Sequence, residues 1–147
     1  MDMFWISMAA AAGCCIALQA SANGSLRGNL DSPYFAAFFS ICGTILTAVA
    51  FMLVVRPHPP SLADVRSTPW WNWIGGPLGA LIVLSGAAVI PKVGAATFIA
   101  AVVGGQLALS LVLDHFGWMD LARQPLSAGR LLGATMVFVG VLLVKYL

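Results

Sequence analysis

The sequence predicts an all-α integral membrane protein with five transmembrane helices. Three observations indicate this fold class: 61% of the 147 residues are hydrophobic, only 8% are charged, and the mean hydropathy is +0.96. An ordinary soluble domain carries about 25% charged residues, and a chain of this length has too much surface for its volume to hide so many apolar side chains from water. The apolar runs are continuous rather than alternating, which favours helices over the strands of a barrel.

Five apolar stretches are each long enough to cross the hydrocarbon core, which takes about 20 residues in a helix. They cover approximately residues 3–22, 33–55, 71–90, 94–113 and 128–147. The predicted connections are the polar, glycine-rich segment 23–32, the proline-rich segment 56–69, a tight turn at 91–93, and the segment 114–127. No connection is long enough to separate domains, so we predict a single transmembrane domain.

Glycines at four-residue spacing predict close packing between helices, because small residues let helix backbones approach each other in lipid. The chain has three such pairs, Gly24 with Gly28, Gly75 with Gly79, and Gly129 with Gly133.

The basic residues are almost evenly divided between the two sides of the membrane. With five spans, Arg56, Arg66, Arg123 and Arg130 lie on the side of the N-terminus. Arg27, Lys92 and Lys145 lie on the other side. Orientation normally follows an excess of Lys and Arg on the cytoplasmic side. Four against three leaves two interpretations open: a cytoplasmic N-terminus, or dual topology in which copies insert both ways and pair as an antiparallel homodimer.

Polar side chains within membrane helices are costly and therefore suggest function. Gln19, Asn23 and Arg27 follow each other at four-residue spacing and share one face of the first helix. Gln106, Ser110 and Asp114 form a second stripe on the fourth helix, and His115 adjoins it. The alternative is that these amides bridge neighbouring helices, which contributes only about 0.6 kcal/mol per bond on average. For Asp114 and His115 the alternative is a solvated pair at the membrane edge.

Several classes of function are disfavoured by what the sequence lacks. No carboxylate lies in the middle of a span, which argues against the proton-for-cation exchange of the small multidrug resistance proteins. Asp114 and His115 are adjacent and point about 100° apart on a helix, so with Ser110 they do not form a hydrolytic triad, and we predict no enzyme. No metal-ligand spacing or nucleotide-binding GxxxxGK[ST] motif occurs, so no metal or cofactor is expected. A net charge of +2 does not indicate nucleic-acid binding.

Four segments together resemble the YdcZ-like family of small inner-membrane proteins, within the drug/metabolite transporter superfamily. They are QASANGSLRGNLDSPYFAAFFS, PWWNWIGGPLGA, PKVGAATFIAAVVGGQLALSLVLDHFGW and RLLGATMVFVGVLLV. The resemblance implies a multi-pass protein of the bacterial inner membrane, equivalent to one half of a ten-helix transporter. The positions that match the family motifs are Gln19, Asn23, Arg27, Ser32, Pro33, Trp71, Gly75, Gly76, Gly79, Pro91, Gly94, Thr97, Gln106, Asp114, His115 and Gly117.

These observations lead to the hypothesis of a secondary transporter that exports a small organic metabolite or drug-like compound by alternating access. The expected partners are the lipid bilayer, the small-molecule substrate and a second copy of the chain. Substrate contacts are expected from Gln19, Asn23, Phe38, Trp73, Gln106 and Ser110. Gating or proton coupling is expected from Arg27, Asp114 and His115, since an imidazole can change its charge near neutral pH. The alternative is a structural or accessory membrane subunit without its own transport path.

Overall fold

A computed structural model describes residues 2–147 and confirms the all-α fold, with no strand among those residues. Five of its helices are long and apolar enough to cross a membrane. They are α1 (Asp2–Leu30), α2 (Pro33–Val55), α4 (Gly75–Val93), α5 (Ala95–Phe116) and α6 (Ala128–Tyr146). A short helix α3 (Leu62–Ser67) and two 3-10 turns (Trp70–Trp73 and Trp118–Asp120) lie in the connections. The chain divides into two compact units, one that ends at Lys92 and one that begins at Val93.

Local capping explains where several helices begin and end. Ser32 caps α2, because its hydroxyl accepts from the backbone N–H of Phe35 at 3.4 Å, and Pro33 occupies the first turn, where its missing N–H is harmless. Ser127 caps α6 in the same way by accepting from Arg130 N–H at 3.3 Å. The helix α5 ends at Gly117, whose φ of +65° is a left-handed conformation that glycine adopts without a steric penalty.

Two predicted connections are wrong, because the helices continue through them. The segment 23–32 is helical as far as Leu30, which leaves only Asp31 and Ser32 between α1 and α2. The predicted turn at 91–93 is the last turn of α4, and the break falls at Gly94 instead, with a φ of +85°. In lipid, a helix satisfies every backbone polar group internally, so it extends over polar, glycine-containing or proline-containing sequence that would form a loop in water.

Close helix contacts within each unit are made at two glycines. In the first unit, a Cβ atom placed on Gly24 of α1 would lie 3.1 Å from the Cγ2 atom of Ile90 in α4. In the second unit, a Cβ atom on Gly104 of α5 would lie 3.5 Å from both Phe138 and Val141 of α6. At both positions the absence of a side chain lets a neighbouring helix pack closely.

Among residues 2–147, the four glycines predicted for helix packing have no such neighbour within their own unit. A Cβ atom on Gly75, Gly79 or Gly133 would meet nothing within 4 Å, and one on Gly129 would meet only the Ser127 hydroxyl at 4.0 Å. A role of these four glycines in helix packing stays a prediction.

Substitution of Gly24 tests the contact with Ile90. We expect Gly24→Leu to lower the thermal unfolding midpoint of the detergent-purified protein, because overpacking a tight contact costs about 1–3 kcal/mol. Gly28→Leu is the matched control one turn later, where an added Cβ meets nothing within 4 Å. There the better helix propensity of Leu should leave stability unchanged or raise it by up to about 1 kcal/mol. Equal midpoints for the two variants would contradict the contact.

Candidate functional site

The polar stripe of α1 combines one buried and two more accessible side chains. Asn23 is only 5% exposed, and its Nδ2 atom has no hydrogen-bond partner among residues 2–147. Gln19, one turn earlier, is exposed, whereas Arg27, one turn later, is half-buried. Arg27 lies in the last turn of α1, where a cation interacts favourably with the helix dipole. The structure therefore keeps the three residues on one helix face, with an unsatisfied amide donor at the centre.

Two members of the polar stripe of α5, Gln106 and Ser110, lie on the face directed away from α6. Gly104 marks the face that contacts α6, and Gln106 follows it by two residues, or about 200° around the helix. Gln106 and Ser110 are both exposed. Neither side chain forms a hydrogen bond within the part of the chain that the structure describes. The central amide of this stripe is thus available to a group outside its own helix pair.

The third member of the α5 stripe, Asp114, is held by the chain itself. Its carboxylate forms an ion pair with the Arg130 guanidinium, and the two side chains are 27% and 30% exposed respectively. The carbonyl of Asp114 accepts from Gln124 N–H at 2.7 Å, and the Arg130 Nη1 atom donates to the Gln124 carbonyl at 2.9 Å. Through these contacts Asp114 links the end of α5 to the start of α6.

His115 belongs to the same connection. Its Nδ1 atom accepts a hydrogen bond from the backbone N–H of Leu126 at 3.2 Å, which requires an imidazole nitrogen without a proton. The carbonyl of His115 accepts from the Arg123 Nε atom at 3.0 Å. Asp114 and His115 are the predicted gating or proton-coupling residues. Both form hydrogen bonds that hold the segment between α5 and α6 against the end of α5.

Arg130 is the member of this connection whose role the sequence did not reveal. A basic side chain in the first turn of a helix opposes the positive end of the helix dipole. Arg130 occupies that position in α6, and the mismatch is a signal that an acidic partner must be near. Asp114 is that partner, at a distance of sixteen residues along the chain.

The two aromatic residues predicted to stack on a substrate lie in different surroundings. Phe38 is exposed on α2 and makes an edge-to-face contact with Phe39 at 5.6 Å between ring centroids. Trp73 is exposed and lines an open groove of about 220 Å³ at the connection before α4. The other lining residues are Pro60, Asp64, Val65, Thr68 and Asn72. The indole of the nearby Trp71 has a buried, unsatisfied Nε1 atom.

Comparison with known proteins decides the family. A family model with the description "Putative inner membrane exporter, YdcZ" matches residues 4–143, which is most of the chain. The chain belongs to this family. The inner membrane protein YdcZ of Escherichia coli (strain K12) is 39% identical over 80 residues, which cover 54% of this chain and 53% of that protein. The match thus spans about half the length of that relative. No solved structure matches.

Membership in the YdcZ family confirms the resemblance found in the sequence. Together with the five apolar helices, it confirms a multi-pass protein of the inner membrane. The family description is that of an exporter, which is a class of transport protein rather than an enzyme.

Proposed function

We propose that this YdcZ-family chain is a secondary exporter of a small organic metabolite or drug-like compound, and that it works by alternating access as a dimer. The observation that carries the proposal is the exposed Gln106 amide, on the face of α5 opposite the α6 contact. A polar group that faces hydrocarbon without a hydrogen bond is costly. A substrate and a second copy would cover this face and satisfy the amide.

The other predicted site residues have defined parts in this proposal. Gln19 and Asn23 of α1 supply further amide groups for the substrate, and Ser110 extends the Gln106 stripe. Phe38 and Trp73 supply exposed aromatic surface on which a planar compound can stack. The Asp114–Arg130 ion pair, with His115 beside it and Arg27 at the end of α1, would open or close one mouth of the pathway.

The proposal of an antiparallel dimer is supported by the number of spans and the charge balance. Five spans place the two ends of the chain on opposite sides of the membrane. Many transporters contain inverted repeats that place the substrate near the bilayer centre. Two oppositely inserted copies would reproduce that arrangement with ten helices, as in the drug/metabolite transporter superfamily.

A reporter fused to the C-terminus tests the dual topology. We expect signal from both sides of the membrane, because the two sides carry four and three basic residues. Changing Arg56 and Arg66 to Gln would leave two basic residues on the side of the N-terminus and three on the other side. This change should shift the reporter ratio away from the orientation with a cytoplasmic N-terminus. Arg56→Lys with Arg66→Lys is the matched control, which keeps the charges and should leave the ratio unchanged. Signal from one side only in the unaltered chain would rule out the antiparallel pair.

A further inference from the structure

Among the described residues of the first unit, the Asn23 amide and the Trp71 indole are the two side chains with a buried, unsatisfied nitrogen, and Asn23 is the more deeply buried. Its Nδ2 atom is buried and has no hydrogen-bond partner among the described residues. Leaving a buried donor without an acceptor costs about 1–3 kcal/mol, and such groups are rare enough in native proteins to need an explanation. An acceptor that the polypeptide does not itself place there would provide one.

A carbonyl acceptor without its usual donor lies in α4. Pro91 is inside this helix and has no backbone N–H, so it cannot donate to the carbonyl of Ala87, four residues earlier. Ala87 is fully buried, with 0% exposure. The helix therefore holds a free acceptor in a position that lipid and bulk water do not reach.

The same helix contact brings these two groups into one region. Gly24 follows Asn23 directly, and a Cβ atom on Gly24 would lie 3.1 Å from Ile90 Cγ2 and 3.8 Å from Pro91 Cδ. Asn23 lies seven residues before the end of α1 (30 − 23), and Ala87 lies six before the end of α4 (93 − 87). Each is therefore about 10 Å from its helix end. As the first and third spans, α1 and α4 cross the membrane in the same direction. Asn23 and Ala87 therefore lie at similar depths in the membrane.

We propose that the Asn23 amide and the Ala87 carbonyl form a binding site for the hydroxyl group of an uncharged organic ligand. This inference rests on the proposed function and names the substrate class of the exporter. One hydroxyl satisfies both groups, because its oxygen accepts from Asn23 Nδ2 while its O–H donates to the Ala87 carbonyl. In other membrane transporters, backbone carbonyls freed from helical hydrogen bonding also take part in binding, where they coordinate the coupling ion beside the substrate.

Charged groups fit this site less well. A carboxylate can accept from Asn23 but has no hydrogen for the Ala87 carbonyl, whereas an ammonium can donate to that carbonyl but cannot accept. The acidic residues of the first unit, Asp2, Asp31 and Asp64, lie at helix ends or in connections, so none can neutralise an ammonium beside Asn23. Arg27, one turn beyond Asn23, is the charged group that would favour a carboxylate instead, so a carboxylate probe is the strictest comparison.

Three probes that share one ring test the site: cyclohexanol, cyclohexanecarboxylate and cyclohexylamine. Each is added to the full-length protein in detergent, and the thermal unfolding midpoint is followed by tryptophan fluorescence. A ligand that binds only the folded state raises the midpoint. With saturating cyclohexanol we expect a rise of about 2–4 °C. Asn29→Leu, an exposed position of α1, is the matched control and should keep this shift. Asn23→Leu should lose it.

Pro91→Ala is the second variant, since it restores the helical donor to the Ala87 carbonyl while leaving Asn23 in place. It should also lose the cyclohexanol shift, which keeps the test decisive if Asn23→Leu does not fold. Three results would overturn the site: no shift with cyclohexanol, a shift that persists in both variants, or a larger shift with cyclohexanecarboxylate. Because binding is measured without transport, a protein that shows the expected shifts but moves no solute would contradict the proposed function alone.

Discussion

Replacement of Gln106 by Leu is expected to reduce export about five- to tenfold without lowering the amount of assembled protein. The amide lies on the exposed face of α5, opposite the contact with α6, and forms no hydrogen bond inside the described chain. Leucine therefore removes no hydrogen bond among the described residues. If the amide binds the substrate, its loss removes a hydrogen bond of about 1–1.5 kcal/mol, and about 1.4 kcal/mol corresponds to a factor of ten.

The measurement compares cellular accumulation of compounds whose level falls when the unaltered protein is expressed. The variant and the unaltered protein are matched for abundance in the membrane. Gln124→Leu is the control, because only the backbone of Gln124 takes part in the α5–α6 connection. Undiminished export by Gln106→Leu would remove this residue from the substrate site. Loss of the dimer with unchanged export per folded molecule would instead assign the amide to helix association.

Replacement of Arg130 by Met is expected to lower stability by about 2 kcal/mol, the scale of a hydrogen bond to a charged group. Methionine keeps part of the aliphatic stem but removes the donors to Asp114 and to the Gln124 carbonyl. The half-buried carboxylate of Asp114 is then left without its partner. For a chain of this size, the thermal midpoint should fall by about 4–8 °C.

Arg66→Met is the matched control for this variant, because Arg66 is exposed on the short helix α3. Such surface substitutions usually change stability by less than about 0.5 kcal/mol. The charge-swapped double variant Asp114→Arg with Arg130→Asp should recover part of the loss. Equal midpoints for Arg130→Met and Arg66→Met would show that the ion pair does not stabilise the α5–α6 connection.

The five spans could be predicted because they depend on local properties of the chain. Length and apolar content decide whether a segment crosses a bilayer, and the 3.6-residue period places Gln106 and Ser110 on one face of α5. The errors at 23–32 and at 91–93 share a cause. Glycine, asparagine and proline are treated as loop residues by rules drawn from water-soluble proteins, whereas lipid favours continued helix.

Sequence alone therefore determined the class of protein, the family, the number of spans and the faces that carry polar residues. Tertiary structure decided which of these residues have partners. It separates Gly24, where an added Cβ atom would press against Ile90, from Gly28, where such an atom would meet nothing within 4 Å among the described residues. It also joins Asp114 to Arg130 and leaves the buried Asn23 amide without an acceptor among residues 2–147. Helical periodicity can be predicted from residues that are close in sequence, but a hydrogen bond between two helices depends on how their side chains pack.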